Sequence, residues 1–204
     1  MDRHTYASGP LAGLDDLYCD TSFLLDIYAA SLLTTAEPPV LSSRQEQRAE
    51  QADRFFRRCI GLGAQVVTSV LALEEAFHVL LWQFVREDIN DSNGAWRNWK
   101  QYRAADTARF LEALDSGRQE MMDFDTFWRT EGILLLHGGQ QLVGPPISEL
   151  HLVNDARQLV DRLEVDVMDA FHYSAMRRFG LSNAASSDSD WAVFPSGRLY
   201  TFEV

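Results

Sequence analysis

Leu17-Tyr18-Cys19-Asp20-Thr21-Ser22 constrains the fold more than any other stretch of the chain. A short apolar run ending in an acid reads as a strand, and Thr21-Ser22 then caps an apolar helix over 23–33 that stops before Pro38-Pro39. Strand, acid and helix in that order open an α/β fold. A second copy of the pattern follows a helical stretch at 44–60 that Gly61 and Gly63 close. Residues 64–68 (AQVVT) are β-branched at their centre and feed a helix over 70–84, where Val70, Leu73, Phe77, Leu80, Leu81 and Phe84 share one face.

Further along, 95–114 and 124–136 read as helices that end at His137-Gly138-Gly139. Two more are expected over 147–163 and 168–179, the second closed by Gly180. Residues 181–185 fit a strand, 186–190 a turn and 199–204 a last strand. The expected architecture is a three-layer α/β/α domain over 14–204 with a mostly parallel central sheet. Residues 86–146 are read as an inserted helical subdomain or lid, because neither of their helices supplies an obvious closed core.

With 204 residues and 46% hydrophobic content, the chain can build a two- or three-layer core and is neither fibrous nor disordered. A net charge of −12 argues against holding nucleic acid through a broad basic surface. Lys100 is the one lysine among 18 basic residues, so nearly every cation is a guanidinium able to fork onto phosphate. Cys19 and Cys59 lack partners at metal-site spacing and read as reduced core thiols. The first twelve residues show no basic start or apolar stretch of an export signal, and no run reaches membrane-spanning length, so a cytoplasmic location is expected.

Asp20, Glu74-Glu75, Asp169, and Asp188 with Asp190 carry the chemistry. Carboxylates so far apart in sequence have one economical joint use, which is to gather hard divalent cations at the end of a sheet. Oxygen ligands suit Mg²⁺ or Mn²⁺, and such ions activate water against a phosphodiester. Each acid also has a plainer role. Asp20 and Asp169 can cap helices, with Asp166 competing for the second cap, and Asp188 and Asp190 sit where turns favour Asp. The plain roles are improbable all at once.

The order of these blocks resembles the PIN-domain nucleases, including the VapC-type toxins. YCDTSFLLD is similar to that family's strand with Asp-x-Ser, TSVLALEEAFHVL to its glutamate helix, MDAFHYSAMRRFG to its Asp-Ala-x-His helix, and SSDSDWAVFPSGRLYTF to its closing loop and strand. Together the blocks cover about 60 residues. Ser186 or Ser187 stands where threonine is common, Trp191 replaces phenylalanine, and the interval before Asp169 is long for a small toxin. The resemblance implies an RNA substrate, self-association as a homodimer, and an antitoxin protein that blocks the site. It also implies Asp20, Glu75, Asp169 and Asp188 as catalytic metal ligands with Asp190 in support. Register at the glutamate stays open. Leu73, Val79 and Leu80 favour Glu75, while the apolar stripe sets Glu74 nearer the core flank.

Ser22 is either a water-mediated ligand or a helix cap, and His172, three after Asp169, either orients a carboxylate or packs in the helix. Arg177-Arg178 and Arg198 are candidates for phosphate contact. Trp96, Trp99 and Trp128 suit core packing better than base stacking, and His78, His137 and His151 have no zinc-ligand spacing. Two other classes compete. A single-metal interaction module would need serine at 24, where Leu24 stands, and an inactive PIN-like scaffold would not need the full acid set.

Overall fold

The computed structural model describes residues 1–36, 38–92, 94–136 and 149–202. The chain folds as α/β, with six strands among the described residues in one sheet and every pairing among them parallel. The strands are β1 (Asp2–Thr5), β2 (Asp16–Cys19), β3 (Gln65–Ser69), β4 (Leu134–Leu136), β5 (Asn183–Ala185) and β6 (Arg198–Thr201). The helices are α1 (Thr21–Leu32), α2 (Ser43–Gly61), α3 (Val70–Asp91), α4 (Trp99–Ala105), α5 (Thr107–Thr130), α6 (Glu149–Leu163) and α7 (Val167–Arg178).

In space the strands run β1-β6-β5-β2-β3-β4. From β2 the chain winds outward through β3 to β4, then returns to the other side of β2 and winds outward again through β5 and β6. The direction of winding therefore reverses between β2 and β5. Crevices that hold ligands in open parallel sheets form at such a reversal, outside the carboxyl ends of the strands.

Alternation along the strands supplies both core faces. Tyr18, Val67, Ala184 and Leu199 face α7 and the turn after β5, packing with Tyr173, Met176, Trp191 and Phe194. On the opposite face Tyr200 packs against Phe55 of α2, which meets Phe23 of α1 edge to face. Cys19 and Cys59 are buried free thiols, and burial pushes Cys59 up to about 12, so neither is poised as a nucleophile.

Contacts divide the chain into two compact units, Met1–Leu73 with Gly132–Val204, and Glu74–Glu131. The second unit has an aromatic cluster of its own. Tyr102 stacks on Trp96 at 4.3 Å between ring centres, and Phe110 meets Tyr102 edge to face. At Gly117 the backbones of α3 and α5 nearly touch, since a Cβ there would stand 2.2 Å from the Leu81 carbonyl oxygen.

The structure departs from the sequence expectation at three places. The helix expected over 95–114 breaks at Asp106, which ends α4 and caps α5 by accepting from the Arg109 N–H at 3.1 Å. The helix expected over 124–136 stops at Thr130; Gly132 takes a left-handed φ of 71°, and Leu134–Leu136 pairs with β3 as a strand. The apolar run Ile133 to Leu136 forms the edge strand next to β3, with Leu134 exposed and Leu136 buried, and periodicity cannot separate so short a run from a helix. Asp2–Thr5 adds an edge strand that its polar sequence did not announce. His137-Gly138-Gly139, residues 147–148 and residues 203–204 lie outside the described residues. No helix among the described residues is long and apolar enough to cross a membrane.

Candidate functional site

Asp20 follows β2 directly, and its N–H donates to the Ala185 carbonyl at the end of β5 at 3.2 Å, so it stands at the winding reversal. Its backbone is extended, which lets its carboxylate turn back over the first turn of α1. Oδ1 accepts from the Phe23 N–H at 3.0 Å and from the Ser22 hydroxyl at 2.8 Å. Oδ2 accepts from the Ser186 hydroxyl at 2.6 Å. The capping role and a place in the acid cluster thus coexist in one side chain.

The loop after β5 is tied to Asp20 by the same hydroxyls. Ser186 Oγ, while donating to Asp20, accepts from the Asp188 N–H at 2.9 Å, and Ser22 Oγ accepts from the Ser187 N–H at 2.8 Å. Asp188 then caps the short 3₁₀ turn Ser189–Val193 by accepting from the Asp190 N–H at 2.8 Å. Both Asp188 and Asp190 are exposed.

Asp169 comes from the opposite helical layer. Asp166, not Asp169, caps α7, accepting from the Met168 N–H at 2.7 Å. That leaves Asp169 in the first turn, where Oδ1 accepts from the Trp191 indole N–H at 3.0 Å. Trp191 is fully buried, and its ring packs beside those of Tyr18 and His172, which also lie beside each other. His172 is buried too, with Nδ1 2.9 Å from the Tyr18 hydroxyl, which in turn shares a hydrogen bond of 2.8 Å with Ser69. His172 therefore packs in the wall behind the acids rather than facing solvent.

Electrostatics couples the three acids. Burial, followed by the charges of Asp188 and Asp20, raises the Asp169 carboxyl to about 6. Burial also raises Asp20, against the lowering effect of its hydrogen bonds and of nearby His172. Among the described residues no arginine or lysine forms an ion pair with Asp20, Asp169 or Asp188. Like charges gathered without a counter-ion are a standing cost that a cation would remove.

Among the described residues no three acids, histidines or cysteines converge closely enough to hold an ion by themselves. The donor chemistry still suits a hard, hydrated cation. Mg²⁺ usually keeps several waters and takes only one or two protein carboxylates. Asp169 Oδ2 and Asp188 Oδ2 accept no hydrogen bond among the described residues.

Glu74 and Glu75 belong to the second unit, on α3, where Glu74 is exposed and Glu75 half-buried. The arginines expected at phosphate are engaged elsewhere: Arg177 with the Leu181 carbonyl, Arg178 with Asp155, Arg198 with the Ala12 carbonyl. Trp128 is buried and donates to Asp125 at 3.0 Å, Trp96 stacks on Tyr102, and Trp99 is exposed. Sequence reasoning passed over Asp26. It is buried on α1, paired with Arg48 at 2.8 Å and with the Ser187 hydroxyl, and burial raises its carboxyl to about 6. Its signal was an acid set inside the apolar run Phe23-Leu24-Leu25-Asp26-Ile27-Tyr28. No family model and no curated protein matches the chain.

Proposed function

We propose that the protein is a divalent-metal-dependent endoribonuclease. The observation that carries this reading is that Asp188 and Asp20 lie near enough to Asp169, beside the β2/β5 reversal, for their charges to raise its carboxyl, while no arginine or lysine among the described residues forms an ion pair with any of the three. When bound, Mg²⁺ or Mn²⁺ supplies the Lewis-acid charge that activates water and stabilises the leaving oxygen of a phosphodiester.

Asp169 and Asp188 are assigned as the principal ligands because each has an oxygen left over from its hydrogen bonds. Trp191 fixes the Asp169 rotamer, and the Asp190 N–H fixes that of Asp188. Asp20 is held rigid by Ser22, Phe23 and Ser186 and adds negative potential near Asp169. Asp190 supports them, and the resemblance to PIN-domain nucleases assigns Glu75 to the same set. RNA as the substrate, an antitoxin as inhibitor and a homodimer as the working form are further parts of the proposal, drawn from the resemblance to PIN-domain nucleases.

The test is incubation of the purified protein with end-labelled RNA in Mg²⁺, in Mn²⁺ and in chelator. Internal cleavage that requires a divalent ion is expected. Intact RNA in every metal, from protein that is folded by circular dichroism, refutes the reading.

A further inference from the structure

Outside the carboxyl ends of β5 and β6 lies a cavity of about 350 Å³, lined by Arg3, Arg44, Arg48, Gln45, Ser187 and Thr201 among others. Among the described residues no carboxylate lines it. Three guanidinium groups on one small cavity repel each other, and in a chain of net charge −12 such a gathering calls for an anion. Arg3 and Arg44 are exposed and form no ion pair among the described residues. Arg48 gives only its Nε hydrogen to Asp26, at 2.8 Å, which leaves its terminal nitrogens to donate.

The cavity is wired to the acid cluster. Asp26 holds Arg48 with one carboxylate oxygen and the Ser187 hydroxyl with the other; the Ser187 N–H donates to Ser22, and Ser22 donates to Asp20. A continuous line of hydrogen bonds therefore fixes the guanidinium of Arg48 relative to Asp20. The 19-residue helix α2 begins here, its end closed by a capping box between Ser42 and Gln45, so its positive end adds to the field of the arginines.

We propose that this cavity is a phosphate subsite, holding an oxyanion of the RNA backbone next to the acid cluster. The RNA half of this proposal rests on the nuclease reading; the phosphate chemistry rests on the three arginines alone. Guanidinium groups fork onto phosphate oxygens, and Ser187 and Thr201 add short polar groups to the wall. A polyanion approaching three coupled carboxylates is repelled, and a local cationic pocket beside them offsets that repulsion without a broad basic surface. Asp26 is then a positioning residue that ties the subsite to the loop carrying Asp188.

The test compares wild type with the Arg3→Ala/Arg44→Ala double variant, using Arg157→Ala on exposed α6 as a surface control. Binding of a 3′-labelled ten-nucleotide single-stranded RNA is followed by fluorescence anisotropy in chelator, so that nothing is cut, over a range of KCl concentrations. The double variant should bind about tenfold more weakly, with a salt slope smaller by about 0.7 for each phosphate it no longer neutralises; the control should match wild type. In a second arm, inorganic phosphate is added at constant ionic strength and the melting temperature read. Loss of RNA affinity assigns the pocket to the nucleic-acid backbone, and loss of phosphate-induced stabilisation alone assigns it to free phosphate. Wild-type affinity, salt slope and phosphate response in the double variant overturn the proposal. Mn²⁺-induced stabilisation, measured in the same samples, separates the two ideas: its absence from wild type counts against the nuclease reading and leaves the arginine result standing.

Discussion

Asp169→Asn separates the cost of the acid cluster from its use. Wild-type Asp169 is raised from an ordinary 3.8 to about 6, first by burial and then by Asp188 and Asp20. At about 1.4 kcal/mol per unit, that gap corresponds to about 3 kcal/mol against the ionised form in an unscreened site. Asp169 is only half-buried, and water screening cuts the figure to roughly 1 kcal/mol. Below pH 3.8 the acid is protonated in both folded and unfolded chains, so it costs nothing. Between 3.8 and about 6 the unfolded chain ionises first, and stability falls as pH rises; above 6 the whole penalty is present. Asparagine keeps an oxygen for the Trp191 N–H and cannot ionise.

In chelator at pH 7.5, Asp169→Asn is therefore expected to melt about 2–4 °C higher than wild type, with the gain gone near pH 3.5. With Mn²⁺ the order reverses. A cation at 100 times its dissociation constant adds about 2.7 kcal/mol to wild type, and the variant, lacking the charge that holds it, gains little and loses cleavage. Thermal melts at both pH values, with chelator and with Mn²⁺ at equal ionic strength, together with an RNA cleavage assay, read all three effects. A variant less stable than wild type in chelator refutes the electrostatic argument. One that retains the full Mn²⁺ response removes Asp169 from the ligand set.

Ser186→Ala deletes a fully buried hydroxyl that both donates to Asp20 and accepts from the Asp188 N–H, so urea denaturation should show a loss of about 1–3 kcal/mol, and no change would mean the link is immaterial. Glu75→Gln is expected to reduce Mn²⁺-dependent cleavage by orders of magnitude, whereas Glu74→Gln, at an exposed position, should cut RNA like wild type; equal rates would drop Glu75 from the proposal. Gly117→Ala forces a methyl against the Leu81 carbonyl and should destabilise the α3/α5 packing by about 1–3 kcal/mol. Hydrogen exchange of α5 amides reads that loss directly, and unchanged protection would show that the helices can part without penalty.

The features legible in the sequence are those written in local chemistry. Asp20 announced both a strand end and a helix cap, and it performs both, which is why strand β2 and helix α1 were readable from six residues. Asp188 likewise signalled a turn and forms one. Features that depend on distant partners were not legible. Asp166 caps α7, and the partner of Asp169 is the Trp191 indole, 22 positions away, which no local pattern reveals. Asp2–Thr5 reads as polar because it is an edge strand, and only its pairing with β6 makes it part of the sheet. The basic cavity was unreadable for the same reason, since Arg3, Arg44 and Ser187 meet only in three dimensions.

The parallel pairing of β2 with β5 also sets a timetable. Asp20 is made early, but the Ser186 hydroxyl that fastens it lies 166 positions further on. At translation speeds of roughly 5–20 residues per second, about 8–30 seconds separate the synthesis of the two. For most of that interval the growing chain carries Asp20 with neither Asp169 nor Asp188 yet made. A chain that cuts RNA would thus stay harmless to its template until Asp169 and Asp188 have left the ribosome and reached Asp20.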